Sequence, residues 1–219
     1  MIELKDIEFS YDNTPLLRDV NITIEDSDFV AITGCNGCGK TTLIKLILGL
    51  LKPQRGKILF SKEGKRVKHL AIGYLPQISS IDRQFPISVR ETVALGLLDR
   101  NTIFRPSLTS SEHERINKVL NRMDIMSLAD KPIAELSGGE LQRTMLARAT
   151  VMQPDVLILD EPNTYLDNTS ENRLYKYLEE LNGSCTIILV THDEHNIKKL
   201  AKHIAYVNGS EQINMMPML

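Results

Sequence analysis

One stretch restricts the fold of this chain more than any other. Gly34-Cys35-Asn36-Gly37-Cys38-Gly39-Lys40-Thr41 fits the pattern G-x-x-x-x-G-K-[ST]. It follows an apolar run at 29–32 and precedes a segment in which Leu43, Leu46, Ile47 and Leu50 recur at helical spacing, with Pro53 marking the expected helix end. Strand, glycine-rich loop and helix in that order are the context the pattern needs. Its glycines let the loop wrap so that backbone N–H groups and the helix N-terminus face phosphate oxygens. Lys40 supplies a positive charge to the outer phosphates of a nucleoside triphosphate, and the Thr41 hydroxyl can ligate Mg²⁺.

Around that unit, short apolar runs alternate with helical patterns, which predicts an α/β fold on a mostly parallel sheet. Strands are expected at 2–9, 20–24, 29–32, 58–60, 70–75, 156–159, 186–190 and 203–207, with a turn at Asp12-Asn13-Thr14-Pro15. The basic stretch 61–69 reads as a solvated turn. From 77 to 153 the strand signal disappears. Helical spacing at 88–98, at 111–126 and from Glu140 onward (Leu141, Met145, Ala149, Met152) predicts a helical insertion, its first two helices separated by Arg105-Pro106-Ser107. The expected organisation is one domain, 1–219, with an α/β core of 1–76 and 154–219 and a helical subdomain at 77–153. The tail, 215–219, is expected to be frayed or loosely packed.

Composition excludes several alternatives. With 219 residues and 42% hydrophobic content the chain can bury a sizeable core. Its 26 Lys+Arg against 28 Asp+Glu give a formal charge of −2, without the basic excess of a chain that neutralises nucleic-acid phosphates. No nucleic-acid partner is therefore expected. The apolar runs fall far short of a membrane span, and with Met1-Ile2-Glu3-Leu4 leading into a strand pattern no secretory leader is expected. Three cysteines make no disulfide framework, so a soluble intracellular chain is expected. Cys35 and Cys38 read as filler at permissive loop positions, and oxidising both is expected to distort the loop and weaken nucleotide binding.

Two further motifs carry chemistry. Val156-Leu157-Ile158-Leu159-Asp160-Glu161 is a buried-strand run ending in two carboxylates. Beside a phosphate loop, the first can hold Mg²⁺ and the second can polarise an attacking water as general base. Leu136-Ser137-Gly138-Gly139-Glu140 precedes a helix, with Ser137 and Glu140 at capping-box spacing. A capped helix N-terminus with two glycines also orders amide donors that can meet an anion.

Taken in order, 34–42, Gln77, 136–143, 159–162, Leu166-Asp167 and His192 resemble the motif set of the ABC-type ATPases. The resemblance runs from Tyr11 to His192. It implies a P-loop NTPase core of ABC ATPase type, with an N-terminal antiparallel β region and an inserted helical subdomain. It also implies ATP and Mg²⁺ as cofactors. In the phosphate loop, Gly34, Asn36, Gly37, Cys38, Gly39, Lys40, Thr41 and Thr42 would bind nucleotide, and Tyr11 would stack on the adenine. Thr41, Gln77 and Asp160 would hold Mg²⁺, with Gln77 also linking the core to the helical insertion. Glu161 would be the general base, and His192 would contact the γ-phosphate. Ser137, Gly138 and Gly139 would close over the γ-phosphate of an opposite subunit, and Asp167 would lie in a loop communicating between the two sites. His195 reads as a solvated helical residue.

Two departures stand out. Glu140 replaces the usual Gln of the signature, which a capping box accepts equally, and Asn163-Thr164-Tyr165 replaces a segment of small residues. A single phosphate loop and a single signature imply a stand-alone nucleotide-binding subunit that pairs head to tail with a second copy. It would serve a separate membrane permease at the inner face of the cell membrane, with an extracytoplasmic substrate-binding protein completing the system. Asp82-Arg83-Gln84-Phe85-Pro86-Ile87 is similar to a segment of the ATPase subunits of bacterial zinc and manganese importers. Iron-chelate importers, exporter ATPases and non-transport members of the family remain alternatives at this point.

Overall fold

The computed structural model describes residues 1–12, 14–98, 107–164, 166–192, 197, 200–208 and 213–217. Its centre is a six-stranded sheet. It contains β3 (Phe29–Gly34), β6 (Ile72–Leu75), β7 (Val156–Asp160), β8 (Thr186–Val190), β9 (His203–Val207) and β10 (Asn214–Pro217), in the order β10-β9-β3-β8-β7-β6. All neighbours run parallel except the edge pair β9–β10. β7 and β8 are buried along their whole length, as continuous apolar runs in a sheet covered on both faces require.

The pleat sorts these strands into two cores. Ala31, Leu157, Leu159, Ile187 and Leu189 point to one face. Val30, Ile32, Ile158, Ile188 and Val190 point to the other. The second face is closed by α1 (Lys40–Ile47) and by an antiparallel sheet of order β2-β1-β4-β5. That sheet comprises β1 (Ile2–Ser10), β2 (Pro15–Ile24), β4 (Arg55–Lys62) and β5 (Lys65–Val67). The first face is covered by α2 (Val89–Ala94), α3 (Ser110–Arg122), α4 (Gly138–Thr150) and α5 (Asn168–Asn182). Leu141, Met145 and Ala149 of α4 are buried there, as their spacing predicts.

Several details differ from expectation: β2 begins at Pro15 and not near Val20, α2 and α3 are shorter than 88–98 and 111–126, and four further points stand out. The helix after Gly39 stops at Ile47, not near Pro53. Gly49 takes φ 71° and donates to Leu46 O (3.0 Å) while Leu50 N donates to Lys45 O (2.9 Å), a left-handed terminus that leaves Leu50 66% exposed. The tail is not frayed across 214–217, because those residues pair with β9 as β10. The solvated stretch 61–69 includes a short hairpin, β4 to β5, with exposed Lys62, Lys65 and Arg66. The strand expected at 70–75 begins at Ile72. Asn13, Arg105, Pro106, Tyr165, His195, Met218 and Leu219 lie outside the described residues.

Candidate nucleotide and metal site

β3 delivers the chain into the phosphate loop, and α1 takes it out. Gly34, Gly37 and Gly39 all have positive φ, and Gly39 caps α1 without a side-chain hydrogen bond. The first amides of α1 therefore have no side-chain acceptor at the cap, the arrangement that attracts a phosphate. Lys40 is buried, and its Nζ donates to the carbonyls of Gly34 and Cys35, both at 2.8 Å. These two bonds tie the ammonium into the loop whose anion it is placed to meet. Cys35 is exposed and Cys38 buried.

β7 brings the carboxylates to the same place. Thr41 Oγ1 donates to Asp160 Oδ2 at 3.1 Å. Asp160 is only 1% exposed, and its Oδ1 has no hydrogen-bond partner. Burial raises the Asp160 carboxyl above its ordinary range, with Glu161 adding to the rise, while the Thr41 hydrogen bond and Lys40 oppose it. A buried carboxylate oxygen without a partner, beside a hydroxyl, is a hard-donor arrangement suited to Mg²⁺.

The chain turns sharply after Asp160. Glu161 adopts φ 52°, its N–H donates to Val190 O (2.9 Å), and its Oε1 lies 2.8 Å from His192 Nε2. β8 thus supplies the anchor for the Glu161 backbone, and the segment just after it supplies the histidine beside its carboxylate. An open cleft of about 580 Å³ is lined by Tyr11, Asn36, Lys40, Thr41, Gln77 and Glu161, with Gly37, Gly39 and Thr42 on its wall. Tyr11 stands over it, edge-on to Phe9 and with its hydroxyl 3.3 Å from Thr42 Oγ1. Leu16 also lines this cleft, an apolar wall that the sequence reading missed. Its only local signal is one apolar residue in a strand, which carries no functional mark.

The structure does not bring every candidate into that cleft. Ser137, Gly138 and Gly139 sit at the N-terminus of α4, and Asp167 caps α5 by accepting from Ser170 N at 2.8 Å; none of them lines it. The α4 cap is the reciprocal box expected. Glu140 N donates to Ser137 Oγ (3.3 Å), and Ser137 N donates to Glu140 Oε2 (2.7 Å). The hydrogen bond from the Ser137 backbone chiefly holds the Glu140 carboxyl below its ordinary range. Arg83 donates to the carbonyl of Leu136, just ahead of this cap, and so ties the 82–87 segment to α4.

Residues 17–164 match the family model described as ABC transporter. The chain is 37% identical over 215 residues to the high-affinity zinc uptake system ATP-binding protein ZnuC of Bacillus subtilis, covering 97% of this chain and 93% of that protein. It is 38% identical over 203 residues to the zinc transport system ATP-binding protein AdcC of Streptococcus pneumoniae, covering 91% and 86%. Its fold superposes on the dimeric structure of a bacterial ABC transporter cassette with a TM-score of 0.83 at 24% identity, covering 100% of this chain and 99% of that one.

Proposed function

The chain belongs to the ABC transporter family as an ATP-binding, ATP-hydrolysing subunit, and from that premise we propose that it powers import of a divalent metal ion, zinc or manganese, through a separate permease. The observation that carries the ATP chemistry is the meeting of Lys40, Thr41, Asp160 and Glu161 at the end of β3 and β7. The cargo assignment rests on the zinc-uptake names of the relatives and on the Asp82–Ile87 segment.

In the proposed mechanism, Tyr11 and Leu16 hold the adenine, and the loop amides with Lys40 hold the phosphates. Lys40 exchanges its carbonyl partners for phosphate oxygens, a charge-assisted contact that outweighs a neutral one. Thr41, Asp160 and Gln77 would hold Mg²⁺, which when bound neutralises the charge on the phosphate oxygens. Glu161 accepts a proton from the attacking water, and His192, bonded to Glu161, fixes the carboxylate's orientation and faces the γ-phosphate.

Two copies pair head to tail, so that Ser137, Gly138 and Gly139 of one meet the nucleotide of the other. The position of these residues outside their own cleft supports that reading. The γ-phosphate provides contacts that ADP lacks, so binding closes the dimer and hydrolysis reopens it. Residues 77–153, from Gln77 to just beyond the end of α4, act as the inserted helical unit facing the permease. Phe85, 59% exposed, stands on its outer surface. Among the described residues no helix is long and apolar enough to cross a membrane, and we place the chain on the cytoplasmic face through its permease. A substrate-binding protein on the other side completes the system.

Elemental analysis of cells grown in metal-limited medium tests the cargo. Cells carrying Glu161→Gln in place of the wild type are expected to lose zinc or manganese selectively. Unchanged metal content, with the purified wild type still hydrolysing ATP, would remove the metal assignment and leave the ATPase.

A further inference from the structure

Two arginines fasten the segment that carries Gln77 to α4, one at each end of that helix. At the C-terminal end, Arg148 in the last turn of α4 donates from Nη2 to the carbonyl of Tyr74 (3.2 Å), in the strand that leads to Gln77. At the N-terminal end, Arg83, a short way beyond Gln77, donates from Nη2 to the carbonyl of Leu136, the residue before the Ser137 cap. Both acceptors are main-chain carbonyls, and a charged donor makes the stronger class of hydrogen bond. Each arginine therefore fixes backbone against backbone.

The chain between the two fastenings has little slack. The Gln77 carbonyl accepts from the amide (3.0 Å) and the hydroxyl (2.6 Å) of Ser80, which closes the single turn Ile78–Ser80. Ile78 is buried in the same core as Leu136 and Leu141. α4 is one unbroken helix, with Leu141, Met145 and Ala149 buried along it, so a displacement at one end is carried to the other. Its two ends serve different nucleotide sites. Gln77 lines the cleft of its own chain, whereas Ser137, Gly138 and Gly139 stand outside it.

We propose that Arg83 and Arg148 are positioning residues that make Gln77 and the N-terminus of α4 one mechanical unit, so that occupancy of a chain's own cleft sets the pose in which its Ser137, Gly138 and Gly139 meet the partner's nucleotide. This rests on the head-to-tail dimer and on Gln77 as an Mg²⁺ ligand, both proposed above. When Gln77 is drawn to the filled cleft, the two arginines carry that shift to both ends of α4. Coupling of this kind is reciprocal, so each filled cleft favours closure over the other.

The test uses the full chain carrying Glu161→Gln, in which bound ATP persists, and reads the dimer dissociation constant by sedimentation at saturating ATP and Mg²⁺. Arg83→Ala should weaken that dimer about tenfold. Arg83→Lys, which keeps a donor for the Leu136 carbonyl, should retain most of the affinity. Arg148→Met keeps the apolar stem, removes the donor and should act in the same direction as Arg83→Ala. Arg83 is exposed, so thermal unfolding of Arg83→Ala and its affinity for ADP should match the parent. Adding Arg83→Ala to Gln77→Ala should cost nothing further, because the arginine acts through Gln77. Additive losses would overturn the proposal, as would a dimer that Ser137→Ala disrupts and Arg83→Ala leaves unchanged. A dimer indifferent to both Ser137→Ala and Gln77→Ala would overturn the head-to-tail reading and the proposal with it.

Discussion

His192 Nε2 lies 2.8 Å from Glu161 Oε1, and Glu161 is held by β8 in a left-handed backbone conformation, φ 52°. A non-glycine residue in that region is strained, and such strain persists only where the surroundings impose it. Here the turn throws the carboxylate back over the phosphate loop instead of continuing the line of β7. Glu161→Gln keeps the shape and removes the proton acceptor. ATP turnover should fall by about 10²–10⁴-fold, with an ATP-dependent dimer accumulating on a sizing column. Rapid turnover in that variant would sink the general-base assignment. His192→Ala leaves the carboxylate present but loosely aimed, so kcat should fall by up to about 10²-fold with KM little changed.

Asp160, in its proposed Mg²⁺-holding role, likewise gives up stability for binding. Burial raises its carboxyl above the ordinary 3.8, so the folded chain takes up this proton more readily than the unfolded chain. Its contribution to stability then falls as pH rises through the interval between the two values, and its cost is complete at neutral pH. Asp160→Asn is expected to raise the Tm of the nucleotide-free protein at pH 7. Each kcal/mol gained is worth roughly 2–4 °C in a chain of this size. The advantage should shrink as pH is lowered toward 3.8, and Mg²⁺-dependent ATP binding should be lost at every pH. Thermal scans over a pH series check the sign, and a variant less stable than wild type at pH 7 would refute it.

At the head of α4 the two members of the capping box are separable. Ser137→Ala removes the acceptor for Glu140 N–H and should cost about 1 kcal/mol. Glu140→Gln keeps an acceptor for Ser137 N–H and should cost under about 0.5 kcal/mol. The depressed Glu140 carboxyl contributes stability above its unfolded value that is lost as pH falls through the folded one, so the Gln variant should flatten the acid limb of the wild-type curve. If Ser137 also meets a partner's nucleotide, ATPase activity of Ser137→Ala measured well below its Tm will be lower than wild type. Equal activity at that temperature would confine Ser137 to the cap.

What could be read from the sequence divides along one line. Features set by neighbouring residues were legible: the loop from Gly34 to Thr41, the Asp160-Glu161 strand end, the Ser137–Glu140 box and the spacing of Leu141, Met145 and Ala149. Features set by distant partners were not. The end of α1 is an exception, a local signal overlooked: Gly49 closes the helix in a left-handed conformation, and the apolar spacing of Leu50 masked it. The tail at 214–217 becomes a strand only because β9 offers it an edge. The backbone turn at Glu161 depends on its bond to Val190 O of β8, and no local pattern announces it.

Gly73 shows how that distant packing bears on the site. A Cβ on this residue of β6 would stand 2.0 Å from Ala149 O, and one on Gly96 would stand 2.0 Å from Arg148 O. Two backbones thus press on the last turn of α4, whose first turn carries Gly138 and Gly139. Gly73→Ala must push α4 away from β6, since a carbonyl in a helix has no flexible end to yield. Overpacking of this kind costs about 1–3 kcal/mol, a fall in Tm of roughly 2–4 °C for each kcal/mol. Gly183→Ala is the control, because a Cβ there meets nothing within 4 Å and the residue ends α5 at φ −65°. Its Tm should stay level or rise slightly as the unfolded chain loses freedom. Differential scanning of the two variants side by side decides the matter, and equal Tm values would show that α4 can shift without penalty.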